Sequence, residues 1–295
     1  FVPTDESTYQ VWMRVYAPDE GLGALGGVTL PKPVMTLADG RKLEGAALCR
    51  EFVVKEGAVR YFRASKEGNK ALFAIAGAKA PYHPAQPGPV AWNSFYNPQF
   101  TMANMLVNTP FAAIRDRMDT TRRSGFYGTL DNVYMSAYVD NRYGDALVVQ
   151  GKAPRTPRTL RGNKQLDANV DMRYWSYCQA RSIADGAADS CLVDEQVPQD
   201  ANGRYTIVVS TEAARPSNAR AECGVAWMPW GVGDGMDNPH GGYMIHRHLK
   251  PSQSVTTSLQ STKEPGDERS VLGAYYSEMT YQAKAAFEAR GCPVK

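Results

Sequence analysis

The amino-acid sequence predicts a mainly β protein: an antiparallel, jelly-roll-like β-sandwich with a long N-terminal arm and a few short helices. Apolar and aromatic residues recur at about two-residue spacing through residues 171–251, in the segments DMRYWSYC, CLVDEQVP, GRYTIVVS, GVAWMPWG and GGYMIHRHLKP. Clusters of Gly, Asp, Asn and Pro separate these segments, as turns separate antiparallel strands. The chain of 295 residues is also long enough to bury a full core.

The N-terminal part has a different composition. Residues 1–45 are rich in Pro and Gly and predict an extended arm with a turn at Asp39-Gly40. A short helix is expected over Glu44 to Phe52, followed by strands at EGAVRYFRA and ALFAIAGA. We therefore predict an arm over residues 1–45 and a single β-sandwich domain over residues 46–295.

The middle of the chain combines irregular and regular segments. The Pro-rich stretch PYHPAQPGPVAWNSFYNP, residues 81–98, predicts a loop whose aromatic residues are buried, because Pro removes backbone donors and fixes φ. A short helix is expected after Thr109, with Pro110 in its first turn. NVYMSAYVD and ALVVQGKA predict further strands, and YQAKAAFEARG predicts a C-terminal helix that stops at Gly291.

Composition and charge exclude some classes of protein. The formal net charge is +3, with 33 basic residues spread among 30 acidic ones, which gives no support for nucleic-acid binding. No run approaches the ~18 apolar residues of a membrane span. The chain begins at Phe1, and FVPTDES suits the residues that follow a removed signal peptide. We therefore expect an exported protein, periplasmic or extracellular.

The five cysteines favour the same compartment, because they are dispersed and none lies in a CxxC pair. Cys178 ends one predicted strand and Cys191 begins the next, so a disulfide across this hairpin is expected to contribute about 3 kcal/mol. The other three cysteines allow one more intramolecular pair. Cys49 with Cys292 would tie the N-terminal region to the tail, and Cys49 with Cys223 would tie it to the sandwich.

The run RYWSYC, then VP and GRYTIVV, then WMPWG, then an apolar strand ending at Leu249, Lys250 and Pro251 resembles the C-terminal part of proteins that carry the domain of unknown function 1214. A group of uncharacterised secreted bacterial relatives looks closer still, because its members share the DNRYGDALVVQGKAPRTP type of segment and a C-terminal AFEARGCP. The resemblance covers about half the chain, Asp131 to Pro251 plus the tail. It implies a jelly-roll-like sandwich and an exported protein, and it supplies no catalytic residues.

His246 and His248 are the first candidates for chemistry. On a strand, two residues at this spacing project from the same face, where their imidazoles could hold one metal ion. His240 on the preceding turn is a candidate third ligand, and three imidazoles with an open position would suit zinc or copper. The alternative is that the pair consists of ordinary sheet residues.

The density of aromatic residues supplies a second candidate site. Rings in or near the predicted sheets could stack on a sugar or an apolar ligand, with a few polar side chains to orient it. The candidate ligand-binding residues are Trp92, Tyr96, Trp227, Trp230, Arg173 and Asp234. Plain core packing is the competing interpretation of these rings. We place the hypothetical ligand cleft between the sandwich and the loop over residues 81–98.

Motifs of the common enzyme classes are missing: the chain has no GxSxG elbow, HExxH, P-loop or GxGxxG pattern. The sequence therefore favours an exported binding or assembly protein that has no cofactor and holds a small molecule, a glycan or a partner protein at an aromatic-lined site. The alternative is a zinc- or copper-dependent hydrolase or oxidoreductase that uses His240, His246 and His248. An open arm is also what partner subunits exchange, so a homo-oligomer or a larger assembly is a further expectation.

Overall fold

A computed structural model describes residues 15, 18–51, 67, 90–101, 117–123, 128–163, 169–181, 187–235 and 238–294. The predicted strands EGAVRYFRA and ALFAIAGA and the predicted helix after Thr109 lie outside these residues. By their internal contacts, the described residues fall into two units. The smaller unit comprises the described residues of Phe1–Phe62 and Thr159–Asn163. The larger unit comprises the described residues of Arg63–Arg158 and Lys164–Lys295. The division into an arm and a domain at residue 45 stays a prediction.

The smaller unit contains a hairpin and a short helix. Strands β1 (Val34–Thr36) and β2 (Lys42–Glu44) pair antiparallel and are followed by helix α1 (Gly45–Glu51). At the hairpin turn the Gly40 amide donates to the Leu37 carbonyl at 2.9 Å, and Gly40 has a φ of 84°. The Asp39 carboxylate accepts the Arg41 amide at 2.9 Å. The predicted turn at Asp39-Gly40 and the short helix after it are therefore confirmed.

The larger unit contains two β-sheets. The first has the strand order β3-β4-β10-β6-β7 and the second β11-β5-β8-β9. Their bounds are β3 Asn93–Ser94, β4 Asn132–Asp140, β5 Ala146–Lys152, β6 Met172–Ala180, β7 Ala188–Val193, β8 Arg204–Ser210, β9 Val225–Pro229, β10 Gly241–Pro251 and β11 Glu278–Gln282. Neighbouring strands pair antiparallel, except that β8 and β9 are parallel. The predicted mainly β, antiparallel sandwich is confirmed, whereas its jelly-roll topology stays a prediction.

The core lies between the two sheets because alternate residues of each strand point inward. From the first sheet it takes, among others, Met135 of β4, Trp175 and Tyr177 of β6 and Met244 of β10. From the second it takes Leu147, Val149, Ile207, Val209 and Met279. Each large apolar side chain buried here contributes roughly 1.5–3 kcal/mol. A smaller cluster covers the other face of the second sheet, where Val148 and Val208 pack with Phe287 of the C-terminal helix α3 (Lys284–Glu288).

The sandwich is held together along both of its sides. Beside β7, the Gln179 side chain accepts the Gly231 amide at 2.6 Å, and the Ser190 hydroxyl donates to the Pro229 carbonyl at 3.2 Å. On the opposite side, the Val90 amide donates to the Met279 carbonyl at 3.3 Å, and the Trp92 indole donates to the Ser277 carbonyl at 2.9 Å. These bonds join residues in or next to the outer strands of the first sheet to residues at the edges of the second.

Two disulfides cross-link the larger unit. Cys178 bonds to Cys191 across the β6–β7 hairpin, as the sequence predicts. Cys292 bonds to Cys223, whereas Cys49 is a free, exposed thiol on α1. The expected pairing of Cys49 with Cys292 or Cys223 is therefore wrong. The tail folds back on the second sheet, where Phe287 is buried and the Val294 amide donates to the Cys223 carbonyl at 3.0 Å.

Three segments differ from the sequence-based expectation. The predicted C-terminal helix starts later, because Tyr281 and Gln282 belong to β11 and pair with β5. Helix α2 (Glu268–Leu272) precedes β11, and no apolar repeat in its sequence predicts it. The predicted strand CLVDEQVP ends at Val193, where a 3₁₀ turn over Asp194–Gln196 begins.

Candidate ligand-binding cleft

A cleft lies on the larger unit between the loop that ends the Pro-rich stretch and the start of β4. The loop contributes Phe95, Tyr96 and Asn97, the strand side contributes Thr129, Asn132 and Val133, and Arg122 and Arg123 close a third side. The cleft contains about 230 Å³ of empty space including its open mouth, and a water-sized group can occupy about 10 Å³ of it. Its size suits one small polar group of a ligand, since pockets for drug-sized molecules are several times larger.

Arg122 is a largely buried cation that holds the cleft together. Its guanidinium donates to the Phe95 carbonyl, to the Leu259 carbonyl at 3.0 Å and to the Thr262 hydroxyl at 2.7 Å. All of these acceptors are neutral, and no carboxylate of the described residues lies within salt-bridge distance of it. Burial lowers the pKa of Arg122, while Tyr96 and the more distant charges of Asp267 and Glu268 oppose this shift. Arg122 therefore gives the cleft a positive charge that has no salt-bridge partner in the part of the chain that the structure describes.

Asn132 is the polar residue on the strand side. It is 0% exposed, and its Nδ2 donates to the Tyr134 hydroxyl at 2.8 Å, which orients the amide. Its Oδ1 accepts no hydrogen bond from any described residue. A buried acceptor without a donor costs about 1–3 kcal/mol. Asn132 is also one of the residues that line the cleft, so an unused acceptor lies in the cleft wall.

The opposite wall combines an aromatic ring with a well-fixed turn. The guanidinium carbon of Arg122 lies 5.0 Å from the Tyr96 ring centroid, and burial raises the pKa of Tyr96, as does the nearby charge of Glu268. Asn97 donates to the Asp119 carbonyl at 2.7 Å and so anchors the turn that presents both arginines. The Arg123 amide donates to the Tyr96 carbonyl at 2.9 Å. The cleft walls are thus preorganised by bonds to the backbone.

Arg123 lies at the rim. Its side chain is 55% exposed and pairs with the equally exposed Asp119 at 2.6 Å. The Asp119 pKa is lowered to about 2, first by its hydrogen bonds to Thr121 and then by Arg123. Ion pairs at this exposure hold charges weakly, so Arg123 can turn toward an anion at the mouth of the cleft.

The structure does not gather the six residues of the predicted aromatic site, and Tyr96 alone among them lines the cleft. Trp92 is buried between the sheets, whereas Trp227 packs on the outer cluster with the Arg215 guanidinium 4.1 Å from its ring. Trp230 packs against the inner core beyond β9. Arg173 is a half-buried residue of β6, and Asp234 is fully buried in the loop before β10. Core packing explains most of these rings.

The three predicted metal ligands do not converge. His246 and His248 project into the core from one face of β10, with ring centroids 4.7 Å apart. His240 is exposed and bonds Asn141 at 2.8 Å through its ring Nδ1. Six residues of extended strand place it roughly 20 Å from His246. Among the described residues, no group of three or more His, Cys, Asp or Glu side chains could hold a metal ion. The predicted three-histidine centre is therefore wrong.

The buried histidines are instead part of an aromatic cluster in the core. His246 stacks on Tyr177 at 4.2 Å, and the Tyr177 and Tyr205 hydroxyls lie 2.6 Å apart across the two sheets. His248 Nδ1 accepts the Leu259 amide at 3.2 Å. Burial lowers the pKa of His248 to about 3, and burial together with His248 lowers the pKa of His246 well below its usual value. Both imidazoles are therefore neutral at ordinary pH.

The sequence predicts a cleft beside the loop over residues 81–98, and this stays a prediction; it gives no indication of Arg122 or Asn132. Arg122 stands in the polar run DTTRR, where a buried arginine has no distinguishing signal. Asn132 is a polar residue at the first position of a strand, which ordinarily predicts a turn residue at the surface. The one sequence signal is the aromatic and Pro-rich stretch opposite them.

No protein-family model matches the chain, and no curated protein does. Solved structures that are similar to it include two uncharacterised bacterial proteins. An uncharacterised protein from Burkholderia cenocepacia is 16% identical with a TM-score of 0.34, and the match covers 76% of this chain and 43% of that one. The VPA0106 protein from Vibrio parahaemolyticus is 15% identical with a TM-score of 0.30, covering 68% of this chain and 42% of that one. Each match thus spans less than half the length of the similar protein.

Proposed function

We propose that this protein is an exported binding protein that holds a small polar ligand in the cleft between Tyr96 and Asn132. The observation that carries the proposal is the presence, in one cleft, of a partly buried cation and a buried acceptor. Arg122 has no carboxylate partner among the described residues, and the Asn132 Oδ1 has no donor among them. Each arrangement costs free energy in the empty protein, and a ligand that satisfies both recovers it.

Export is supported by the cysteine chemistry. Two disulfides, Cys178–Cys191 and Cys223–Cys292, fit an oxidising compartment such as the periplasm or the extracellular space. Among the described residues, no helix is both long and apolar enough to cross a membrane. The relationship to the domain of unknown function 1214 stays a prediction.

A binding role is favoured over an enzyme because, among the described residues that line the cleft, no nucleophile lies next to a base. The ionisable groups of these residues are Tyr96, whose pKa burial raises, and two arginines, none of which can accept a proton at neutral pH. The histidines of the described residues are Asn141-bound His240 and the two core residues, and none of these three lines the cleft, whereas His83 lies outside the described residues.

The proposal is tested by ligand screening of the oxidised protein with backbone amide NMR. Four groups of small compounds, namely sugars, amines, carboxylates and phosphates, are titrated separately into the wild-type protein. We expect at least one group to shift the amides of residues 95–97, 122–123 and 132, and this shift to be lost in Asn132→Leu. The control Ser136→Ala, on the same face of β4, keeps it. If no group shifts these amides, the cleft is not a binding site.

A further inference from the structure

Resting on the proposed function, the arrangement of the cleft also restricts the chemical class of its ligand. The cations Arg122 and Arg123 occupy one side, and the only described acidic side chain in contact with either is Asp119, at the exposed rim. None of the described residues that line the cleft is acidic. An anionic group is therefore attracted to this side, and a cationic one is repelled.

The strand side of the cleft requires a hydrogen-bond donor on the ligand rather than an anionic acceptor. Asn132 offers an acceptor, because its Nδ2 is already used by the Tyr134 hydroxyl at 2.8 Å while its Oδ1 has no partner among the described residues. A bare anion has only acceptors and would face this oxygen unfavourably. A ligand that satisfies both sides must therefore have a hydrogen-bond donor close to its anionic group.

We propose that the cleft binds a small hydroxylated organic anion, with its carboxylate or phosphate group toward the arginines and its hydroxyl donating to Asn132 Oδ1. A 2-hydroxycarboxylate is the smallest molecule of this kind. It is small, with donor and anion on neighbouring carbons, so one of its groups can enter the cleft, whose water-sized space is about 10 Å³, while the rest stays at the open mouth. Phe95 and Tyr96 supply the apolar part of the lining.

Three matched probes separate the two requirements: glycolate has the carboxylate and the hydroxyl, acetate lacks the hydroxyl, and ethylene glycol lacks the charge. Amide NMR titrations are expected to show glycolate binding at least 5-fold more tightly than acetate, with no shift from ethylene glycol. In Asn132→Leu the preference for glycolate over acetate is expected to disappear, because the acceptor that recognises the hydroxyl has been removed.

A second variant tests the charge without disturbing the core. Arg123→Gln removes a cation whose side chain is 55% exposed, and it is expected to weaken glycolate binding about 2- to 5-fold. Arg204→Gln makes the same change in net charge at an exposed position at the start of β8 and leaves the affinity unchanged. Inorganic phosphate that competes with glycolate would identify the anionic group as phosphate-like, and failure to compete would assign it to a carboxylate.

The outcomes distinguish this inference from the proposed function. If a neutral or cationic compound shifts the cleft amides and glycolate does not, the anion class is wrong while the binding function holds. Equal affinities of the wild-type protein for glycolate and acetate would overturn the hydroxyl requirement. If no compound of any class shifts these amides, both proposals fail.

Discussion

At the scale of single residues, this core is unusual for the polar atoms that it leaves without partners. Asn132 Oδ1, both ring nitrogens of His246 and the His248 Nε2 are buried and accept or donate no hydrogen bond among the described residues. Each costs about 1–3 kcal/mol relative to a satisfied group. Asn132 has a functional explanation in the cleft, whereas the histidines lie inside the sandwich and affect its stability.

The histidines predict acid sensitivity. In the unfolded chain they keep their ordinary pKa near 6.5, whereas burial holds the folded pKa of His248 at about 3 and that of His246 well below 6.5. Between pH 6.5 and 3 the unfolded state binds more protons, so stability is lost as pH falls, by about 1.4 kcal/mol per pH unit for each histidine. Asp194 acts in the opposite direction, because burial raises its pKa to about 6.

Denaturant unfolding from pH 7 to pH 4 measures this dependence. We expect His248→Leu to reduce the slope of the free energy of unfolding against pH by the contribution of one histidine, about 1.4 kcal/mol per pH unit. His240→Gln, at an exposed position, should leave this slope unchanged. The same slope in wild type and His248→Leu would show that His248 titrates normally in the folded protein.

Asn132→Leu gives a second prediction at this scale. Removing an acceptor that has no donor offsets the loss of the bond to Tyr134, so the free energy of unfolding in water should change by less than about 1 kcal/mol. The stabilisation by glycolate should fall to that by acetate at the same time, which thermal unfolding with each compound measures. A loss of several kcal/mol would indicate instead that Asn132 is a structural residue.

At the scale of elements, covalent links and close backbone contacts fix how strands and tail pack. The Cys223–Cys292 bridge spans 69 residues and anchors the segment that carries α3, whereas the Cys178–Cys191 bridge spans only 13 residues within one hairpin. In the chain-entropy model the longer loop contributes about 4 kcal/mol and the shorter about 3 kcal/mol.

Paired Cys→Ala variants test this order by equilibrium unfolding. Loss of Cys223 and Cys292 together should destabilise the protein more than loss of Cys178 and Cys191 together. Cys49→Ser should have no effect, because Cys49 is exposed and free. An effect of Cys49→Ser as large as that of either pair would mean that this thiol is bonded in solution.

The contact between β5 and β8 depends on a glycine. A methyl group at Gly151 would lie 2.7 Å from the Tyr205 hydroxyl oxygen and 3.0 Å from its ring carbon. Gly151→Ala should therefore displace the ring, break the hydroxyl contact with Tyr177, and cost about 1–3 kcal/mol. Tyr205→Phe, which removes only the hydroxyl, should cost less. Equal stability of Gly151→Ala and wild type would show that Tyr205 has room to move.

At the scale of the whole molecule, the sequence predicts the sandwich well because successive side chains of each strand point to opposite faces of the sheet, and one of these faces packs in the core. NVYMSAYVD and ALVVQGKA became β4 and β5, and the spacing of His246 and His248 correctly placed both on one face. Alternation does not say which face meets the other sheet. For this reason, the spacing of His246 and His248 is compatible both with a metal site and with two core residues, and the structure shows the latter.

The parts that the sequence does not predict all depend on contacts between distant segments. The partner of Cys292 follows from the tail docking on the second sheet, and the parallel pairing of β9 with β8 follows from the path of the chain between them. The role of Arg122 likewise requires residues 95 and 259–262 to meet around one guanidinium. No local pattern contains this information.

The most direct test of the central claim is a crystal structure of the wild-type protein with glycolate. We expect electron density for the ligand in the cleft, with its carboxylate beside Arg122 or Arg123 and its hydroxyl within hydrogen-bond distance of Asn132 Oδ1. Glycolate bound elsewhere on the protein, with the cleft occupied by water alone, would contradict it.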